Sequence, residues 1–93
     1  MGKEESFSKK DWLVYILQCK DGTYYSGATN NLEKRMKAHS NGKGARYTKI
    51  RGVEKLIAFK DNLTKKEALS LERHLKKQPR KNKLNFLLDF NSF

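Results

Sequence analysis

Residues 12–29, WLVYILQCKDGTYYSGAT, decide the fold. Trp12-Leu13-Val14-Tyr15-Ile16-Leu17 is apolar at odd and even positions alike, the pattern of a strand covered on both faces and therefore of a sheet's central strand. Lys20-Asp21-Gly22-Thr23 is a hairpin signal, and Thr23-Tyr24-Tyr25-Ser26 has the β-prone composition of a return strand. The two tyrosine segments then become antiparallel neighbours. Strand side chains alternate faces, so a two-residue Asp21-Gly22 loop would pair Lys20 with Thr23 and put Tyr15 and Tyr25 on opposite faces. A three-residue loop, or a bulge nearby, moves the pairing by one and brings both phenols to one face. A site shared by the two tyrosines requires that odd register.

Further along, Asn30 caps a predicted helix whose third position is Glu33, with Gly42 as its stop. Leu32 and Met36 are expected to face the core. Arg35 and His39, four residues apart, share a different face and can reach one common object. Residues 43–51 read as a basic loop and Leu56-Ile57-Ala58-Phe59 as a third strand. Thr64-Lys65-Lys66-Glu67 carries the capping-box signature, so a helix is predicted from Lys65 to somewhere before Pro79. Its apolar stripe is Ala68, Leu71 and Leu75, with Glu72 on the border. A carboxylate so placed must pair with a cation, bind a metal or take up a proton. Residues 84–93 are expected to form a short closing helix or a tail, and residues 1–11 a flexible, polar tail.

Ninety-three residues allow one domain with a compact core. The formal net charge of +11, from 21 Lys and Arg against 10 Asp and Glu, attracts polyanions and makes nucleic acid the natural partner. Cys19 is the single cysteine, so there is no disulfide framework, and with only His39 and His74 beside it there is no zinc-finger spacing. It reads as a buried strand thiol of a reducing, cytoplasmic compartment. No signal peptide or anchor is expected in residues 1–10, and the run WLVYIL is far too short to span a bilayer.

Val14-Tyr15-Ile16, then Tyr25-Ser26-Gly27, then Asn31-Leu32 leading to Arg35 and His39, resemble in order and spacing the GIY-YIG nuclease domain. In that family a tyrosine closes the first tripeptide, another opens the second, and an arginine follows the second by the interval that separates Tyr25 from Arg35. Glu72, in Ala68-Leu69-Ser70-Leu71-Glu72, matches the family's later carboxylate, which holds a divalent metal. The resemblance runs over residues 12–77 and implies a domain at 12–83. Gly42-Lys43-Gly44-Ala45-Arg46-Tyr47-Thr48 resembles a segment of small stand-alone bacterial members, of the UPF0213 kind. Departures are Leu13 for the family glycine, Ser26 for an isoleucine, and Ala28 where repair-type relatives carry lysine. The implied fold is a small α/β domain, an α+β sandwich with a three-stranded antiparallel sheet flanked by helices.

The implied activity is metal-dependent endonucleolytic cleavage of DNA, in repair or processing. Phosphodiester hydrolysis needs a base for water, cations for the charge building on phosphate, and help for the departing oxygen. By resemblance Tyr25 is the base or its close partner, but a free phenol titrates near about 10 and needs a cation beside it. Mg²⁺ or Mn²⁺ on Glu72, with Arg35, would supply that field. Arg35 would clamp the scissile phosphate, His39 relay a proton or donate to phosphate, and Tyr15 hold Tyr25 or a water. Lys43, Arg46, Lys49 and Arg51 bracket Tyr47, and would neutralise phosphates while an exposed tyrosine stacks on an unpaired base. Taken singly, each residue has an ordinary reading: packed sheet tyrosines, a solvated helix face, a Glu72–Lys76 ion pair. The rival function is a catalytically silent module that binds DNA or RNA. A third is protein docking through Phe86, Leu87 and Phe90. With no second domain to read bases, a partner protein, DNA shape or charge alone would direct the activity.

Overall fold

Val14, Tyr15, Ile16 and Leu17 are all fully buried on strand β1 (Trp12–Cys19), in a computed structural model that describes residues 9–90. Strands β2 (Tyr24–Thr29) and β3 (Val53–Leu63) flank β1, both antiparallel, in the order β2-β1-β3. The uniformly apolar strand is thus the central one, as its pattern requires.

The hairpin takes the three-residue form. Cys19 N–H donates to the Thr23 carbonyl at 2.8 Å and Gly22 N–H to the Cys19 carbonyl at 2.9 Å. Gly22 has φ +86°, which a residue without a Cβ adopts at no steric cost. Asp21 fastens the turn, accepting from Thr23 N–H at 3.1 Å and from its hydroxyl at 2.6 Å. Tyr15 therefore stands opposite Gly27, and Leu17 opposite Tyr25. Directly opposed residues share a face, so both phenols lie on the same side of the sheet.

The other face holds the apolar core. Val14 and Ile16 pack with Leu63, Ala68, Leu71, Leu75 and Leu87. Helix α3 (Lys65–Lys76) supplies the predicted stripe Ala68, Leu71 and Leu75, and its capping box is complete: Glu67 N–H to Thr64 Oγ1 at 3.1 Å, Thr64 N–H to Glu67 Oε1 at 2.8 Å. Helix α4 (Arg80–Asp89) closes the core with Leu87. It starts at Arg80, upstream of the expected Leu84, because Pro79 ends the preceding turn and enters the next helix with its fixed φ of −59°. Phe86 and Phe90 pack against this core, so the C-terminal apolar residues expected as a docking surface are spent on folding. Residues 1–8 and 91–93 of the expected tails lie outside the described residues. Among the described residues, no helix is long and apolar enough to cross a membrane.

On the tyrosine face lie α1 (Leu32–Ser40) and α2 (Arg46–Arg51), and here several expectations are corrected. The N-cap of α1 is Asn31, not Asn30: its side chain accepts from Lys34 N–H at 3.0 Å, and Thr29 Oγ1 takes the Asn31 N–H at 3.1 Å. His39 is the buried residue of α1, while Leu32 and Met36 are only half-buried. The helix does stop at Gly42, at φ +73°, with Gly42 N–H on the His39 carbonyl and Lys43 N–H on that of Ala38. Residues 43–51 are not all loop, since Arg46–Arg51 form helix α2 around the buried Thr48. Strand β3 is longer than Leu56–Phe59. Its register on β1 shifts three times, one shift lying near Asn62 at φ +63°, and bulges of this kind let an edge strand carry charge without breaking the sheet.

Candidate active site

Tyr15 reaches the site from β1 with no exposed surface. Gly27 across the hairpin makes room for it, since a Cβ there would overlap the Tyr15 hydroxyl. The hydroxyl accepts from Arg35 Nε at 3.3 Å and lies 2.9 Å from His39 Nε2. Arg35 and His39 thus share one object, as their one-turn spacing on α1 implies. Burial raises the Tyr15 pKa above the ordinary phenol value. The Arg35 hydrogen bond opposes this, and the charges of Tyr25 and Glu72 add to it.

His39 is buried edge-on against both phenols, with ring centroids 5.8 Å from Tyr15 and 5.4 Å from Tyr25. Its Nδ1 lies 2.8 Å from Thr48 Oγ1, and Gly44 packs so closely that a Cβ would overlap the imidazole. Burial first, and then the Arg35 charge, pull the His39 pKa below its ordinary value, so the ring is neutral near pH 7. Arg35 is held firmly charged, chiefly by its bond to Tyr15 and further by Tyr25. A guanidinium fixed by one buried phenol, with further N–H groups to give, is a ready partner for a phosphate oxygen.

Tyr25 is half-buried, 6.4 Å from the Tyr15 ring and 5.9 Å from that of Tyr47. Tyr47 is not the exposed stacking platform expected of it. The Arg51 guanidinium covers its ring at 4.1 Å while Arg51 Nε pairs with Asp21 Oδ2 at 3.1 Å. Arg51 therefore ties α2 to the hairpin. Lys43, Arg46 and Lys49 remain exposed and, with Gly42, Gly44 and Ile50, line an open concavity of about 760 Å³.

Glu72 lies one turn from Lys76 on α3, its side chain 20% exposed and paired with Lys76 Nζ at 3.2 Å. Lys76 Nζ is also 5.7 Å from the Tyr25 ring centroid, which links this ion pair to the tyrosine cluster. Among the described residues, no three His, Cys, Asp or Glu side chains gather as a metal cage. A single carboxylate fits a Mg²⁺ site completed by water and substrate phosphate, the usual way this ion is held. The Lys76 ammonium would have to yield that carboxylate.

Tyr15, Tyr25, Arg35 and His39, expected from their intervals to meet, do lie together, and Thr48 and Gly44, which no interval singles out, pack against His39. Neither stands at a helical or strand interval from His39, so no local pattern points to them. The available signal was the segment Gly42–Thr48, which resembles that of small stand-alone relatives and contains both residues without assigning either a role.

The comparisons with known proteins agree with this geometry. The model of the GIY-YIG catalytic domain matches residues 11–85. A UPF0213 protein of Clostridium perfringens is 54% identical over 74 residues, covering 80% of this chain and 80% of that one. The UPF0213 protein YazA of Bacillus subtilis is 48% identical over 71 residues, covering 76% and 72%. The solution NMR structure of a UPF0213 protein from Bacillus halodurans superposes with a TM-score of 0.51 at 40% identity, over 83% of this chain and 82% of that one. With that match spanning residues 11–85 and relatives of this identity and coverage, the chain belongs to the GIY-YIG catalytic domain family, a family of nucleases.

Proposed function

We propose that this protein is an endonuclease that hydrolyses DNA phosphodiester bonds with a divalent metal, Mg²⁺ or Mn²⁺, and that it works in DNA repair or processing in the cytoplasm. The observation that carries this reading is Arg35, whose guanidinium is held by Tyr15 on the face of the sheet that also carries Tyr25. Arg35 would clamp the scissile phosphate and balance the charge that grows on it. Tyr25, half-buried beside Arg35, is the phenol that substrate can approach, and is assigned as base or base partner. Tyr15 is too deeply buried to touch substrate, so it orients Arg35 and His39. Glu72 would hold the metal, which supplies Lewis-acid stabilisation to the phosphate. Lys43, Arg46 and Lys49 would bind the backbone on either side of the cut, drawing on the excess positive charge.

A second reading rests on the Glu72–Lys76 ion pair. If the ammonium is Glu72's permanent partner, the carboxylate holds no metal, and the protein is a binding module for DNA or RNA. Cleavage of labelled duplex, single-stranded and branched DNA with Mg²⁺ or Mn²⁺ separates the two. The nuclease reading predicts cutting that Arg35→Ala and Glu72→Ala both abolish. Salt-sensitive binding without cutting, unchanged by Glu72→Ala, selects the module.

A further inference from the structure

We propose that Thr48 is a positioning residue that fixes the tautomer of His39, so that His39 Nε2 accepts the Tyr15 proton and Nδ1 carries its own. The catalytic consequence rests on the nuclease reading above, but the tautomer itself does not.

The protons along one chain of hydrogen bonds decide the tautomer. Arg35 Nε lies 3.3 Å from Tyr15 Oη, Tyr15 Oη lies 2.9 Å from His39 Nε2, His39 Nδ1 lies 2.8 Å from Thr48 Oγ1, and Thr48 Oγ1 lies 2.9 Å from the Ala45 carbonyl. Both ends have fixed roles: a guanidinium N–H only donates, and a carbonyl only accepts. Between them stand three mobile protons, one each on the phenol, the neutral imidazole and the hydroxyl. If Tyr15 donates to Nε2, Nδ1–H donates to Thr48 and Thr48 donates to Ala45, then every proton has an acceptor.

The opposite direction fails at one position. Thr48 would donate to Nδ1 and Nε2–H to Tyr15, whose oxygen already receives Arg35. The phenol proton would then have no acceptor in the chain, on a residue with no exposed surface. Buried polar hydrogens without partners are rare because desolvating them is costly. Ala45 would also lose its hydroxyl donor and keep only the Lys49 N–H at 3.0 Å.

The fold holds Thr48 for this purpose. It is buried in α2, whose C-terminus is closed by the Gly52 N–H on the Thr48 carbonyl at 2.8 Å. The groups facing His39 are Tyr15 from β1, Tyr25 from β2, Arg35 from its own helix and Thr48 from α2. Of these, Thr48 alone contacts Nδ1 with a group able to accept its proton. Orientation therefore passes from Thr48 to His39, to Tyr15, and to the guanidinium that would grip the phosphate.

The test is a long-range ¹⁵N–¹H correlation spectrum of the imidazoles in the full chain, at a pH where His39 is neutral, with His74→Gln to assign the signals. Wild type is expected to show Nδ1 protonated and Nε2 as a hydrogen-bonded acceptor. Thr48→Val, which keeps the shape and removes the hydroxyl, is expected to shift His39 toward the other tautomer, and Thr48→Ser to restore it. In DNA cleavage Thr48→Val should lower kcat by roughly tenfold or more with little change in KM, a loss of orientation and not of binding, and Thr48→Ser should recover most of it. An Nε2–H tautomer in wild type overturns the proposal, as does an unchanged tautomer in folded Thr48→Val. If Thr48→Val does not fold, the wild-type and Thr48→Ser spectra decide. A wild-type protein with the Nδ1–H tautomer that cuts no DNA would support the positioning role and defeat the nuclease reading separately.

Discussion

At the scale of single residues, the site is organised by what each polar group can and cannot do with its protons. His39 is buried beside a permanent cation, and both conditions favour its neutral form. Its pKa in the folded state therefore lies below the unfolded value of about 6.5. Between those two values the unfolded chain binds the extra proton, so His39 costs stability as pH falls through that window and no more once both states are protonated. The expected outcome is an NMR titration of His39 displaced below the ordinary imidazole value, with stability declining below about pH 6.5 in wild type and less so in His39→Gln. A His39 titration at or above its ordinary value would contradict the buried, neutral ring. The residues carrying these effects were only partly legible in the sequence. Tyr15, Tyr25, Arg35 and His39 stand at intervals that strand parity and helix periodicity translate into shared faces. Thr48 is joined to His39 by folding alone, across an interval no periodicity describes.

At the scale of elements, local chemistry was readable wherever it was self-contained. The apolar run of β1, the turn residues Asp21 and Gly22, and the Thr64–Glu67 box each state their role within a few residues, and each forms as read. Helix α2 was not legible, because its glycine-rich, basic surroundings have the composition of a loop and its helix is secured by tertiary anchors: Thr48 on His39, Tyr47 on Tyr25, and Arg51 on Asp21. The cap of α1 was misplaced by one residue, since adjacent asparagines carry the same signal and the Thr29 hydroxyl decides between them. Tyr15 packs directly across the hairpin on Gly27. Gly27→Ala is expected to push the phenol out of place, costing about 1–3 kcal/mol in a denaturant melt by overpacking and releasing Arg35 and His39 from their bonds to Tyr15. A variant with unchanged stability and an unchanged Tyr15 resonance would show that the hairpin packs more loosely than described.

For the whole molecule, the sheet divides two functions. An apolar core of β1, β3, α3 and α4 side chains occupies one face, and the polar cluster with α1 and α2 occupies the other. The net charge of +11 gives long-range attraction to any polyanion, and Lys43, Arg46 and Lys49 present exposed cations around one concavity. If each meets one phosphate, replacing all three by alanine should reduce the slope of log affinity against log salt by about 2.7 for duplex DNA, at about 0.9 per contact. Arg51→Ala should leave that slope nearly unchanged and instead loosen α2, because its guanidinium is committed to Asp21 and Tyr47. A slope insensitive to the triple replacement would move the binding surface elsewhere. The most direct test of the central claim remains cleavage of labelled DNA with Mg²⁺ or Mn²⁺ by the wild-type, Arg35→Ala and Glu72→Ala proteins, each verified as folded. Metal-dependent cutting by wild type alone is the predicted result. Cutting that survives both substitutions, or none by any protein under conditions where DNA is bound, would contradict it.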